Sequence, residues 1–554
     1  MKHTFLKTCS LFALALVLTA QVGAQVSHGG SPLLRNAKSP VAEVVAPVVD
    51  GDLLLRQDQE QASGGSPLRI GVMTDVSASN LTDGETVTLA DGTRVWRLAV
   101  VSPKATFVSL HFDLFDIPEG ARLFVYADGD FVLGGFTRQN RQPDGCFYTQ
   151  NIPGDRCVVE YQEPASVAGM GRLHLSQVQH GYKDFFGLRN EAKGQLGNAG
   201  NCHYNVACPE GDAFRNQIRS VVEMAITLGK DTYLCSGALI NTTANDKTPY
   251  ILTAYHCQDG GVFKALVAYF NYQVADCNGT YYAGWNTQSV AGAEILAKND
   301  IASGSDFALL RLNEMVPDSY RPYYAGWDRS TLGKLENPTK CAGIHHPAGD
   351  YKKISIPYTV TIQNGTLNIS GTYANANRFF YVDWLKGITE RGSSGSPLFN
   401  KDGLVVGQLS AGSGDCGNPS QSKAYYGRLA SDWTGGGTAE KRLSDWLDPL
   451  NTGTTALQGI NYDEADTVNS VLMAHELHVY PNPSDGMIRF DVEEIGEASY
   501  RVYNLNGIVI YEGTTILATT TQALNLTFLP NGLYAIELYI EGKKYANVLS
   551  IYKQ

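Results

Sequence analysis

The chain has 554 residues, 43% hydrophobic and 18% charged, which is too long for one core and too apolar for a disordered scaffold; about three domains are expected. Forty-three basic against 55 acidic residues, a net charge of -12, leave no broad basic face for phosphates or anionic lipid, so nucleic acid is excluded as a partner. With 57 glycines, 30 tyrosines and many short alternating apolar runs, the sequence predicts a mostly β protein.

At the N-terminus Lys2 and Lys7 precede an apolar stretch from Leu11 to Leu18 and then Val22-Gly23-Ala24, the pattern of a secretory signal cleaved after Ala24. The stretch is well short of the ~20 residues a spanning helix needs, and no other segment predicts a transmembrane helix. Export places the ten cysteines in an oxidising setting, and loss of Cys9 with the signal leaves nine, so at least one is unpaired. After a polar leader, residues 95 to 190 predict a small sheet domain within a unit spanning 25–193. There Val108, Leu110, Phe112 and Leu114 alternate with Ser109, His111 and Asp113, giving one buried and one wet face, and Asp128-Gly129 supplies a hairpin turn. Cys146 and Cys157, close together and isolated from the rest, are expected to staple it. Between Asp184 and Asn201 the chain becomes polar and glycine-rich, and processing is expected after Lys193. A second unit, 194–451, holds seven cysteines and the motifs described below. A linker over 452–475 leads to a terminal unit, 476–554, opening with Val479-Tyr480-Pro481-Asn482-Pro483. Its short β runs alternate with Asp485-Gly486, Asn506-Gly507, Asn531-Gly532 and Glu541-Gly542, which predicts a small sandwich.

Three strings carry chemistry. Ile251-Leu252-Thr253-Ala254-Tyr255-His256-Cys257 is an apolar strand ending at a histidine; Asp306-Phe307-Ala308-Leu309-Leu310-Arg311-Leu312 is a strand headed by a carboxylate; Gly392-Ser393-Ser394-Gly395-Ser396-Pro397 is a tight turn around a serine. A serine hydroxyl is a weak nucleophile until a neutral imidazole accepts its proton, and that imidazole needs an acceptor on its other nitrogen. Ser394, His256 and Asp306 supply the three roles, and the glycine at 392 lets the Gly392 and Ser394 amides converge as an oxyanion hole. The order His, Asp, Ser, with gaps of 50 and 88 residues, is that of two-barrel chymotrypsin-like enzymes. An α/β-hydrolase needs Ser, acid, His, and the only histidines after Ser394, His475 and His478, lie outside the unit. The base must be uncharged, and free histidine titrates near ~6.5, so activity is expected to rise from acid toward neutral pH.

Seven cysteines with one left over allow 105 pairings, and a zinc site on Cys202, His203 and Cys208 competes with disulfide formation. Export favours disulfides, so neither metal nor cofactor is expected. His345 and His346 read as structural.

The strings Thr253 to Cys257, Ser305-Asp306-Phe307, Ile344-His345-His346-Pro347, Gly392 to Pro397 and Arg442-Leu443-Ser444-Asp445-Trp446-Leu447-Asp448-Pro449 together resemble the bacterial lysyl endopeptidase family over about residues 199 to 450. The resemblance implies a double β-barrel, the triad assigned above, and disulfides Cys202–Cys416, Cys208–Cys277 and Cys235–Cys257, with Cys341 the odd thiol. It also implies a specificity pocket at Thr389, Ser410 and Ala424. In lysine-specific members an aspartate pairs the substrate ammonium there. A gap-free alignment puts Ala424 at that aspartate and Ser410 at the family's pocket histidine, with no matching tryptophan. Alanine cannot compensate a buried ammonium, so a neutral or small apolar residue is expected before the cut. A one-residue slip would instead aim Lys423 into the pocket, and Glu390 or Asp415 could replace the missing acid. Ser393 stands where many animal enzymes of this fold keep an activating aspartate, so silencing is assigned to the unit before Lys193, covering the cleft or helping the barrels fold.

The terminal unit resembles the C-terminal sorting domain of type IX secretion substrates in Bacteroidetes, which implies the bacterial secretion machinery as a partner and release or attachment at the cell surface. The expected protein is a secreted serine endopeptidase acting on protein or peptide substrates. A surface adhesin on a protease fold that has lost catalysis is the alternative.

Overall fold

The computed structural model describes residues 25–553 except 38, 62–66, 128, 184–198, 259–264, 280–287, 331–334, 336, 370, 464–474, 492–495, 505–508, 518–520 and 541–542. The expected cleavage points at Ala24 and Lys193 lie outside these residues, as do Asp128, the Asn506-Gly507 pair and the Glu541-Gly542 pair.

The first sheet unit begins well before residue 95. A helix, Gly51–Gln61, and strands Leu68–Ser79 and Glu85–Thr88 precede it. Two sheets, one holding Arg94–Val101, Arg122–Tyr126 and Arg156–Glu163 and the other Leu68–Ser79, Arg172–Gly181 and Phe107–Asp116, enclose a core that includes Leu98, Val100, Phe112, Phe115 and Leu175. The alternation predicted along Phe107–Asp116 holds only at its start. Against the strand Arg172–Gly181 the register slips between Leu114↔His174 and Phe112↔Leu175. One extra residue flips the faces, so Leu114 is 41% exposed and Phe115 is fully buried. Nor is the other face wet: Ser109 and His111 are both buried, His111 stacking on Tyr148.

This unit is not separate from the next. Leu68–Ser79 pairs antiparallel with Asp231–Leu239, Leu68 opposite Leu234 and Val72 opposite Asp231, making one sheet of 12 strands across the expected boundary. Arg69 reinforces the join with ion pairs to Asp58 at 2.9 Å and Asp231 at 3.2 Å.

The first barrel is built from Val221–Leu228, Asp231–Leu239, Tyr250–Ala254, Ala265–Tyr269, Ser289–Ala291, Ala293–Asn299 and Phe307–Leu312. Val222, Met224, Leu239, Ile251 and Leu310 fill it. In the second, Ala342–His345, Lys353–Ile362, Phe379–Lys386, Lys423–Arg428, Val405–Ser413 and Pro397–Phe399 pair in turn, and the last also pairs with the first, so the ring closes. Its interior holds Val382, Trp384, Leu398, Leu409 and Tyr426. Two-strand periodicity explains both, since each strand sends alternate apolar side chains inward. A shared cluster containing Ile218, Leu252, Phe307, Ile344 and Phe399 joins the barrels. The terminal unit forms a five-stranded and a three-stranded sheet around Ile488, Phe490, Val502, Ile536 and Leu549, as its sequence predicts.

Candidate active site

The strand Tyr250–Ala254 runs alongside Phe307–Leu312, Ala254 opposite Phe307, which brings the end of one to the head of the other. His256 and Asp306 meet there twice: the His256 amide donates to Asp306 Oδ1 at 2.9 Å and the ring Nδ1 to Oδ2 at 2.7 Å. Asp306 is fully buried and has φ 63°, a left-handed backbone that a non-glycine residue adopts only when its surroundings hold it. A third donor reaches it from the second barrel, where Ser410 Oγ lies 2.6 Å from Oδ2.

Ser394 is partly exposed in the turn between the barrels. Gly392 (φ 93°) and Gly395 (φ 81°) flank it. A side chain at Gly395 would sit 2.0 Å from Thr253 Oγ1 and 2.4 Å from the Ser236 carbonyl, so only glycine lets this turn close on the strand that leads to His256. The Ser236 amide donates to the Ser394 carbonyl at 2.8 Å, and Cys257 Sγ lies 3.7 Å from that oxygen. Ser236 Oγ donates to the Gly392 carbonyl at 2.9 Å. Among the described residues neither the Gly392 nor the Ser394 amide donates to another protein group.

Behind the turn, His345 Nδ1 lies 2.7 Å from Ser393 Oγ and its Nε2 3.0 Å from Ser355 Oγ. Ser355 donates to the Ile388 carbonyl, so it accepts from Nε2 and Ser393 donates to Nδ1. Burial depresses the pKa of His345 and of His346, which keeps both rings neutral props. The roles of Ser236, Ser410 and His345 had no signature in spacing, because their partners lie on other strands.

Cys202 is bonded to Cys416, Cys208 to Cys277 and Cys235 to Cys257, and Cys341 is a buried thiol. Cys202, His203 and Cys416 lie close together, but the two sulfurs are bonded to each other, as Cys208 is to Cys277, so that corner offers no thiolate to zinc. The expected staple between Cys146 and Cys157 does not form: both are free. Cys157 faces the core from the strand Arg156–Glu163, whereas Cys146 precedes the strand Phe147–Tyr148 of the other sheet. Proximity in sequence was a poor guide across two sheets.

Ala424 is fully buried and pairs with Gly412 on one side and Val382 on the other. The Thr389 hydroxyl fills the space a side chain at Gly412 would take, 2.4 Å from its Cβ position. Ser410, aligned with the pocket, gives its hydroxyl to Asp306 instead. Lys423 sets its ammonium 5.1 Å from the Tyr381 ring centre. Glu390 accepts from the Gly200 amide at 3.3 Å and sits 3.4 Å from His203, and Asp415 accepts from the Gly417 amide at 2.9 Å.

Residues 196–427 match the family described as lysyl endopeptidase, C-terminal domain, and residues 478–551 the secretion system C-terminal sorting domain. A lysyl endopeptidase of Pseudomonas aeruginosa is 28% identical over 403 residues, covering 67% of this chain and 80% of that one. Among solved structures, the HtrA-type protease AlgW with tripeptide is 13% identical at a TM-score of 0.30, covering 62% of this chain and 96% of its own. The Rv3671c protease from M. tuberculosis, active form, is 13% identical at 0.26, covering 43% and 89%. The chain is a serine endopeptidase, and its sorting domain makes it a secreted or cell-surface protein. No helix among the described residues is long and apolar enough to cross a membrane.

Proposed function

We propose that this chain hydrolyses peptide bonds through Ser394, His256 and Asp306. Ser394 Oγ attacks the scissile carbonyl while His256 Nε2 takes its proton. Asp306, bonded to the His256 amide and Nδ1, fixes the tautomer and stabilises the imidazolium, and the Gly392 and Ser394 amides hold the oxyanion. His256 then protonates the leaving amine, and water repeats the sequence on the acyl-enzyme. The reading rests above all on the two-point hold of His256 by a fully buried carboxylate at 2.9 and 2.7 Å. That arrangement disfavours a catalytically dead adhesin. Labelling by a fluorophosphonate, lost in Ser394→Ala, tests it.

The substrate residue before the cut is neutral or small and apolar. Ala424, Thr389 and Gly412 offer no charge, while Glu390 is engaged with Gly200 and His203 and Asp415 with Gly417. A fluorogenic panel in which cleavage after lysine dominates would overturn this.

The order of parts is a signal over 1–24, a propeptide over 25–193, the protease over 194–451, a linker over 452–475 and the sorting domain over 476–554. The propeptide acts on the protease by lending Leu68–Ser79 to the edge of Asp231–Leu239 and by placing the Pro67 carbonyl 2.7 Å from Arg391 Nη2, one residue before Gly392. Type IX export of the precursor, with later removal of both ends, fits this order.

A further inference from the structure

The Tyr255 amide holds the Asp306 carbonyl at 3.1 Å, and His256 and Ser410 bond to the carboxylate, which leaves the left-handed turn to be fixed on its other side by the main chain before it. That main chain is Ser305, fully buried. Its hydroxyl donates to Asp432 Oδ1, and its carbonyl accepts from Gln408 Nε2 at 3.0 Å. Gln408 Nε2 also reaches Asp432 Oδ2 at 3.3 Å, so one buried carboxyl gathers both groups that fix Ser305. There is no slack on the remaining side. A side chain at Gly427 would stand 2.0 Å from the Ser305 carbonyl and 2.3 Å from Gln408 Nε2.

Asp432 itself sits in the short helix Leu429–Thr434, 1% exposed, and its carbonyl accepts from the Leu443 amide at 2.9 Å, which ties the helix to the end of the domain. A buried carboxyl on a separate element, spending one oxygen on the residue before the catalytic acid and the other on the glutamine bonded to that residue's carbonyl, is costly to keep for packing alone, because an apolar side chain would fill the same space without desolvation.

We infer that Asp432 is a positioning residue for the triad: its carboxyl clamps Ser305 through the hydroxyl and Gln408, and so holds Asp306 in the left-handed turn that aims it at His256. The inference rests on the triad reading given above. Burial raises the Asp432 carboxyl to about 7, with Asp306 adding to the rise and Ser305, Gln408 and the Arg378 charge opposing it. Arg428, whose own pKa burial depresses and the Asp432 charge raises, is the other charged group facing it. The carboxyl therefore changes charge within the working range, and its ionised form places a second negative charge behind Asp306, which favours the protonated His256 ring.

The experiment compares Asp432→Ala and Asp432→Asn in the full chain, with kcat and KM measured from pH 5 to 9 on one fluorogenic peptide. Asparagine keeps the oxygen that accepts from Ser305 and gives up the one that accepts from Gln408 Nε2. The alanine variant is expected to lose at least about tenfold in kcat with KM within about twofold, since misaimed groups cost turnover rather than binding. The asparagine variant is expected to recover part of that loss, with the acid limb of its profile displaced to lower pH because the negative charge Asp432 takes on as pH rises through about 7 is gone. Full kcat in the alanine variant, or equal losses in both variants with an unmoved acid limb, would overturn the inference. If the alanine variant fails to fold, the asparagine profile still decides, an unmoved limb counting against it. Ser394→Ala run alongside separates the two claims. An inactive Ser394→Ala with a fully active Asp432→Ala refutes the clamp alone, whereas wild-type turnover in Ser394→Ala refutes the triad and the clamp with it.

Discussion

Replacing Ser410 by alanine removes one of three donors to the Asp306 carboxylate and changes little else, because Ser410 Oγ bonds to Oδ2 at 2.6 Å and the residue is only 6% exposed. Asp306 is shut off from water, so no solvent donor can replace the hydroxyl. A hydrogen bond to a charged group contributes ~1.5–3 kcal/mol. The His256 amide and Nδ1 still hold the carboxylate in place, so we take the lower part of that range for the transition state. About 1.4 kcal/mol corresponds to a tenfold loss of kcat. The sign of the pH effect is also fixed: a carboxylate with fewer donors attracts the imidazolium more strongly, so the acid limb of kcat/KM moves to higher pH in Ser410→Ala. Stopped assays on a fluorogenic peptide across pH 5 to 9 read both quantities. A kcat within twofold of wild type together with an unmoved limb would refute the claim that Ser410 supports Asp306 rather than lining the pocket.

Ala424→Asp places a carboxylate at a fully buried position that the proposal assigns to the pocket, and cleavage after lysine relative to alanine is expected to rise by about 100-fold, ~2.7 kcal/mol; an unchanged panel would put the pocket elsewhere. Burial holds the Glu223 carboxyl well above the usual range, with the Asp350 charge adding to the rise and Lys352 opposing it. A raised folded pKa means stability that is present below the unfolded value near ~4.5 and lost as pH rises toward the folded one. In a Ser394→Ala background, melting temperatures of Glu223→Gln should therefore fall less between pH 5 and 8 than those of the parent, and parallel curves would contradict this. A chain lacking residues 25–193 leaves the Asp231–Leu239 edge without its Leu68–Ser79 partner, and refolding yield is expected to drop at least about tenfold relative to the full chain; equal yields would leave the propeptide no role in folding.

The triad strings were legible because each is local: a strand ending in His256, a strand headed by Asp306 and a glycine turn around Ser394 each declare themselves within seven residues. Strand pairing then brings two of them together, setting Ala254 opposite Phe307. What the sequence hid is relational. The pairing of Leu68–Ser79 with Asp231–Leu239 joins residues more than 150 positions apart and merges two units that composition separates. The bulge against Leu175 turned Leu114 outward where alternation put it inside. Cys157 stands on the strand Arg156–Glu163 and Cys146 just before a strand of the other sheet, so closeness in sequence did not pair them. Ser410, placed in the pocket by alignment, is the extra residue of a bulge between Leu409 and Ala411 and gives its hydroxyl to the acid.

The most direct test of the catalytic assignment is mass-spectrometric mapping of a fluorophosphonate adduct on the processed enzyme, paired with peptide turnover. One adduct per chain on Ser394, absent in Ser394→Ala and slowed in His256→Ala and Asp306→Asn, is the outcome predicted here. An adduct on another residue, or an Ser394→Ala chain that still cleaves peptides at the parental rate, would contradict it.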